Sequence, residues 1–214
     1  MALKLNTAAG NTAVGHQTML NNSTGTQNVA VGKNALDSNT TADNNTAVGY
    51  DALQANSTGA SLTAVGKDAL AANTTGDNNI GMGRDAGQSI TTGSNNIAIG
   101  VEALESVTGT NMNVAIGKGA GAACTGAENL FIGHEAGNDN TTAEYNTFIG
   151  NKAGTKNTTG TQNVALGAMA LDANTTTNAC TAIGYDSLTA CISAANTAVA
   201  VSYTHLTLPT IYSV

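Results

Sequence analysis

Aliphatic, small and polar positions follow one another along this chain with a single period. A glycine preceded by an aliphatic residue recurs at Gly15, Gly32, Gly49, Gly66, Gly83, Gly100, Gly117, Gly133, Gly150, Gly167 and Gly184, at intervals of seventeen residues and once sixteen. In register on that glycine the unit reads N-[T/V]-A-[V/I]-G-x-[D/E]-A-L-x-x-N-T-T-G-x-x, as in residues 45–61. Seventeen residues are too few for a helix pair and suit one solenoid coil of two or three short strands with tight turns. Thr/Val and Val/Ile on either side of a small residue have the period of a strand, which puts the outer two on one face. The N-T-T-G and N-S-T-G segments supply turns, because Asn and Gly tolerate positive φ. The pattern predicts an all-β, parallel β-solenoid of about eleven coils and a rod of roughly 50 Å, at about 4.8 Å per coil.

The copies act as an internal alignment, and each column carries an expectation. The aliphatic column, Val14, Val31, Val48, Val65, Ile99, Ile116, Ile132, Ile149 and Ile183 among others, reads as the structural core. Asn22, Asn39, Asn56, Asn73, Asn140, Asn157 and Asn174 share a column with Ile90, Val107, Cys124 and Cys191. A position that takes either Asn or Ile is a buried one, so these read as an internal Asn ladder whose amides satisfy one another. A second Asn column, from Asn11 to Asn163, behaves similarly, with Leu62 and Cys180 as exceptions. Phe131 and Phe148 replace Ala in two coils that also replace Leu by Gly137 and Gly154, which reads as two columns sharing one space. By alternation the Ala column points away from the Val/Ile column. That places Leu36, Leu53, Leu70, Leu104, Leu171 and Leu188, with Phe131 and Phe148, on an outer strip that serves as a self-association interface, the alternative being a corner of the core.

Composition changes the picture chiefly by exclusion. The chain has no Trp, two Phe and one Pro, and 10% charged residues, so neither a wide aromatic core nor a charge-rich disordered chain fits it. A net charge of −7 gives no electrostatic support for nucleic acid or an anionic membrane, and no apolar run has the length of a membrane span. Residues 1–10 lack the long apolar stretch of a signal peptide and read as a partial entry coil.

No catalytic, cofactor or metal constellation emerges, and the chain reads as a non-enzyme. His16 and His134 stand in a variable column with Lys33, Tyr50, Lys67, Arg84 and Tyr185, as solvent-facing residues do. The acidic column Asp51, Asp68, Asp85, Glu102, Glu135 and Asp186 reads as a solvated charge stripe, since no copy has the G-G-x-G-x-D of a calcium roll. A ladder of Thr40, Thr74, Thr91, Thr108, Thr125, Thr141, Thr158 and Thr175 leaves ice binding as a minor alternative. Cys180 and Cys191 share a coil and are within reach of each other, although free buried thiols are the preferred reading.

The units N-T-A-V-G and N-N-I-A-I-G resemble the repeats of YadA-like heads in trimeric autotransporter adhesins, and T-A-V-G-x-D-A-L-x-x-N-[T/S]-T-G resembles bacteriophage tail-fibre repeats. The resemblance covers about residues 6–199. It implies a left-handed β-roll assembled as a homotrimer, with a structural or adhesive role in a phage tail fibre or, alternatively, in the head of a bacterial surface adhesin. The location it implies is the virion or the extracellular bacterial cell surface, and the expected partners are further copies of the chain and a host-cell receptor or glycan. The spacing is longer than in adhesin heads, and no coiled-coil stalk, membrane anchor or chaperone domain accompanies it. Residues 11–199 form the repeat domain. From Ala200 to Val214 every column breaks, and V-S-Y-T-H-L-T-L-P-T looks like a translated sequencing adapter, so 200–214 reads as a non-native tail on a fragment from an environmental library.

Overall fold

The computed structural model describes residues 2–3 and 7–199, so the expectation for 200–214 lies outside the described residues. These residues form an all-β, parallel β-solenoid of about eleven turns with no helix among them. Twelve strands of three residues each, from β1 (Thr12–Val14) to β12 (Thr197–Val199), stack in sequence order into one parallel sheet. The register is that of the repeat: Thr46, Ala47 and Val48 lie beside Thr63, Ala64 and Val65, and so on along the rod.

Each coil has one regular strand rather than two or three. The rest of it runs through turns that bond to the next coil nonetheless, as Leu36 N does to Ala52 O (3.0 Å) and Thr40 N to Ser57 O (3.1 Å). Two recurring conformations make the turns. The repeat glycine has φ near +140°, and a Cβ on Gly49 would stand 2.3 Å from the carbonyl oxygen of Gly66, so stacking leaves no room for a side chain there. Two and four residues further on, the chain turns left-handed again, at Asp51 (φ 56°) and Leu53 (φ 52°). A left-handed leucine costs about 1 kcal/mol of strain. Burying its side chain returns about 2 kcal/mol, so packing wins.

The interior is narrow, and this decides which face of the strand enters it. Ala30, Ala47, Ala64, Ala98, Ala115, Ala165 and Ala182 are fully buried, as are Ala35, Ala52 and Ala69 beyond the glycine. The core assignment of the aliphatic column is therefore corrected. Val14, Val31, Val48 and Ile116 are exposed, and Val65, Ile99, Ile132, Ile149 and Ile183 are half-exposed on the outer face of the sheet. A coil this thin accepts a methyl at the strand centre but not a stack of branched side chains.

The Leu and Phe expectation is corrected with it. Leu36, Leu53, Leu70, Leu104, Leu171, Leu188, Phe131 and Phe148 are inside the coil of a single chain, at 2% exposure or less, and offer nothing to a second copy. The two Phe rings stack with centroids 5.7 Å apart. Phe131 fills the space beside both Gly121 and Gly137: a Cβ on either glycine would approach its ring to 2.5 Å. Phe148 does the same beside Gly154, and beside Gly87 the space is taken by Ile90 and Leu70. Every coil that lacks the leucine thus has another side chain in its place.

The two Asn columns bind coil to coil. In the first, Nδ2 of Asn39, Asn56 and Asn73 donates to Oδ1 of the Asn one coil earlier, at 2.6, 3.2 and 2.9 Å, and Asn157 and Asn174 continue the pattern. Asn22 and Asn140 donate to the carbonyl three residues ahead, and all seven are buried. In the second column, Oδ1 accepts from the backbone N–H of the next coil, as Asn28 Oδ1 does from Asn45 N at 2.9 Å.

Candidate interaction surface

The outer face of the sheet is the feature that a soluble rod does not account for by itself. Each strand turns two side chains outward, and the inner of the two columns is aliphatic in every coil: Val14, Val31, Val48, Val65, Met82, Ile99, Ile116, Ile132, Ile149, Leu166, Ile183 and Val199. The column beside it is Thr in six coils and aliphatic in the other six, with Val29 and Val164 exposed and Ile80, Ile97, Val114 and Leu130 half-exposed. With strands about 4.8 Å apart, the strip extends over about 50 Å. At about 10 Å wide it presents roughly 500 Å² of mostly apolar surface, the upper end of what single chains expose.

The two rims of this face differ in charge. At the C-terminal ends of the strands stands the column after the glycine, with exposed His16, Lys33, Tyr50, Lys67, Arg84, Lys118, His134 and Tyr185. Lys33 and Lys67 lie over the Tyr50 ring at 5.4 and 6.0 Å. The acidic residues of the next column compensate much of the positive charge. Asp68 pairs with Lys67 and Asp85 with Arg84, while Glu102 reaches Arg84 at 2.5 Å and Glu135 reaches Lys152 at 3.6 Å. Asp51 instead accepts from Asn34 Nδ2 at 2.8 Å. Exposed pairs of this kind stabilise the fold by less than about 1 kcal/mol each.

At the N-terminal rim the structure forms one groove that the sequence columns did not announce. Its volume is about 460 Å³, and it is lined by Met112, Val114, Glu128, Asn129, Leu130, Tyr145, Asn146 and Thr147. Beside it lies a sixteen-residue interval, one of two along the stack, since Thr181 pairs with Thr197 at the same spacing. The stretch from Cys124 to Asn129 is one residue shorter than its counterpart from Val107 to Asn113, and the turn carrying Glu128 stacks between those carrying Met112 and Tyr145. The coil-to-coil bonding continues across the shortened turn, through Asn113 Nδ2 to Gly126 O (3.0 Å) and Asn129 N to Asn113 Oδ1 (3.1 Å).

The threonine ladder is occupied. Oγ1 of Thr40, Thr74, Thr91, Thr125, Thr141 and Thr158 donates to the carbonyl of the corresponding residue one coil on, at 2.8 to 3.3 Å. These hydroxyls join coils to one another. Cys180 and Cys191, whose Cα atoms are 6.6 Å apart, form a disulfide, which corrects the preference for free thiols. Cys124 is free and buried in the first Asn column, and desolvation pushes its thiol pKa up to about 11. A thiol held neutral in that way is not a nucleophile.

No family model matches this chain, and neither a curated protein nor a solved structure does.

Proposed function

We propose that the chain is a rigid, self-associating segment of a structural or adhesive fibre, in which three parallel copies of a left-handed β-roll bury their Val/Ile faces against one another. The observation that carries this reading is the unbroken aliphatic column on the outside of the sheet. A single soluble rod gains nothing from twelve outward aliphatic side chains in a row, whereas copies in contact would remove them from water at about 25 cal/mol per Å². The repeat resemblance supports a phage tail-fibre shaft or receptor-contacting region, and the head of a bacterial surface adhesin is built on the same physics. Adhesion, on this reading, belongs to the variable residues outside the apolar strip, and catalysis has no part in it.

Analytical ultracentrifugation and small-angle scattering test the proposal. An elongated particle of three times the chain mass is expected. Val48→Asp combined with Val65→Asp should give soluble, folded monomers, because both side chains stand outside the coil. A wild-type monomer overturns the fibre reading, as does an oligomer that these two charges leave unchanged. A monomer that also slows ice growth would favour ice binding instead, since Thr12, Thr46, Thr63, Thr147, Thr181 and Thr197 stand outward two residues before Val or Ile.

A further inference from the structure

The groove at the N-terminal rim and one lysine at the opposite rim share a property. Among the described residues, Glu128 makes no ion pair, and neither does Lys118. Elsewhere in the column after the glycine, Lys67 and Arg84 are each followed by an aspartate that bonds them, and Lys33 lies over a ring. Lys118 is exposed and is followed by Gly119, which offers it no carboxylate. Lys118 and Glu128 belong to neighbouring coils: Lys118 follows β7 (Val114–Ile116) and Glu128 precedes β8 (Leu130–Ile132).

Symmetry brings such groups together. In a ring of parallel copies, each contact is heterologous, so the C-terminal rim of one sheet lies beside the N-terminal rim of the next. Resting on the self-association proposed above, we infer that Lys118 of one copy seats in the groove of its neighbour and pairs with Glu128 there, fixing the axial register of the chains. One coil step is about 4.8 Å, which a lysine side chain spans. The groove has the chemistry for that occupant. Met112 and Leu130 offer apolar surface to the methylene stem, Tyr145 offers a ring face to the ammonium, and Glu128 supplies the opposite charge. Without such a pair a uniform aliphatic strip allows slippage by whole coils, because every coil presents nearly the same face.

Charge exchange tests this in the full chain. Lys118→Glu and Glu128→Lys should each raise the concentration for half-assembly roughly fivefold or more at low salt, with the effect shrinking at high salt. The double exchange should recover most of the loss. In parallel, chains carrying Lys118→Cys are mixed with chains carrying Glu128→Cys and oxidised. An interchain disulfide should form in the mixture and not in either variant alone. An assembled wild type whose exchanged variants assemble as before, or whose Glu128→Cys chains bridge to one another, overturns the pairing and leaves self-association standing. A wild type that does not assemble overturns both.

Discussion

Replacing Asn56 by Ile tests whether the buried amide column is a ladder or a set of independent residues. Asn56 is fully buried, and its side chain makes three hydrogen bonds: to Asn39 Oδ1 at 3.2 Å, to Gly59 O at 2.9 Å, and from Asn73 Nδ2 at 2.9 Å. Gly59 O keeps a second donor in Asn45, and Asn73 Nδ2 keeps Gly76 O, but Asn39 Oδ1 is left with none. Three lost bonds at about 1 kcal/mol each and one orphaned acceptor at about 1 to 2 kcal/mol, less about 1 to 2 kcal/mol from the buried aliphatic group, give a net loss of about 3 kcal/mol. Asn73→Val alone should cost about the same by the same reasoning, since it orphans Asn56 Oδ1. Together they should cost less than the sum. The 2.9 Å bond between them is removed only once, and the next coil already carries Ile90, so the pair extends an existing apolar block. Urea unfolding of the four proteins of a double-mutant cycle measures this, with an expected coupling of at least about 1 kcal/mol. Strictly additive losses, or an Asn56→Ile loss under about 0.5 kcal/mol, would refute the ladder.

Two further outcomes follow from the interior. Gly137→Leu should destabilise strongly, by about 2 kcal/mol or more, because its Cβ meets the Phe131 ring at 2.5 Å, and adding Phe131→Ala should recover much of the loss on thermal denaturation. Cys124 should resist alkylation at pH 8 while the chain is folded. Its thiol pKa is raised from 9.0 to about 11, so the stability it contributes is intact below pH 9 and declines as pH rises towards 11, which unfolding midpoints of wild type and Cys124→Ala across that range would register.

The period, the parallel stacking and the strand position could be read from the recurring glycine, because a fixed spacing permits few other folds. The Asn columns were legible for a different reason: Ile90, Val107 and Cys124 stand in for amides, and only a buried site accepts both. The face of the strand was misread because both choices are apolar, and hydrophobicity favours Val over Ala for the interior. The signal that decides it is confinement. The Ala column changes to Phe only where Leu gives way to glycine, whereas the outer column takes Val, Ile, Met or Leu without any compensating change. The leucines' left-handed backbone was hidden as well, although their exchange with Gly87, Gly121, Gly137 and Gly154 is what a positive φ permits. The groove had no mark of its own in the sequence, because the short interval beside it recurs between Thr181–Ile183 and Thr197–Val199.

That shortened turn bears on how such a rod can change. One residue is missing between Cys124 and Asn129, and the stack resumes undisturbed, with Leu130 beside Thr147 in register and the amide bonds continuous on both sides. The corner before each strand is therefore a place where the chain's length can vary locally while the lattice of coils stays fixed. A peptide grafted there would be displayed at a known height on the rod, and several grafts in chosen coils would be held at multiples of about 4.8 Å, a ruled scaffold for spacing epitopes or enzymes.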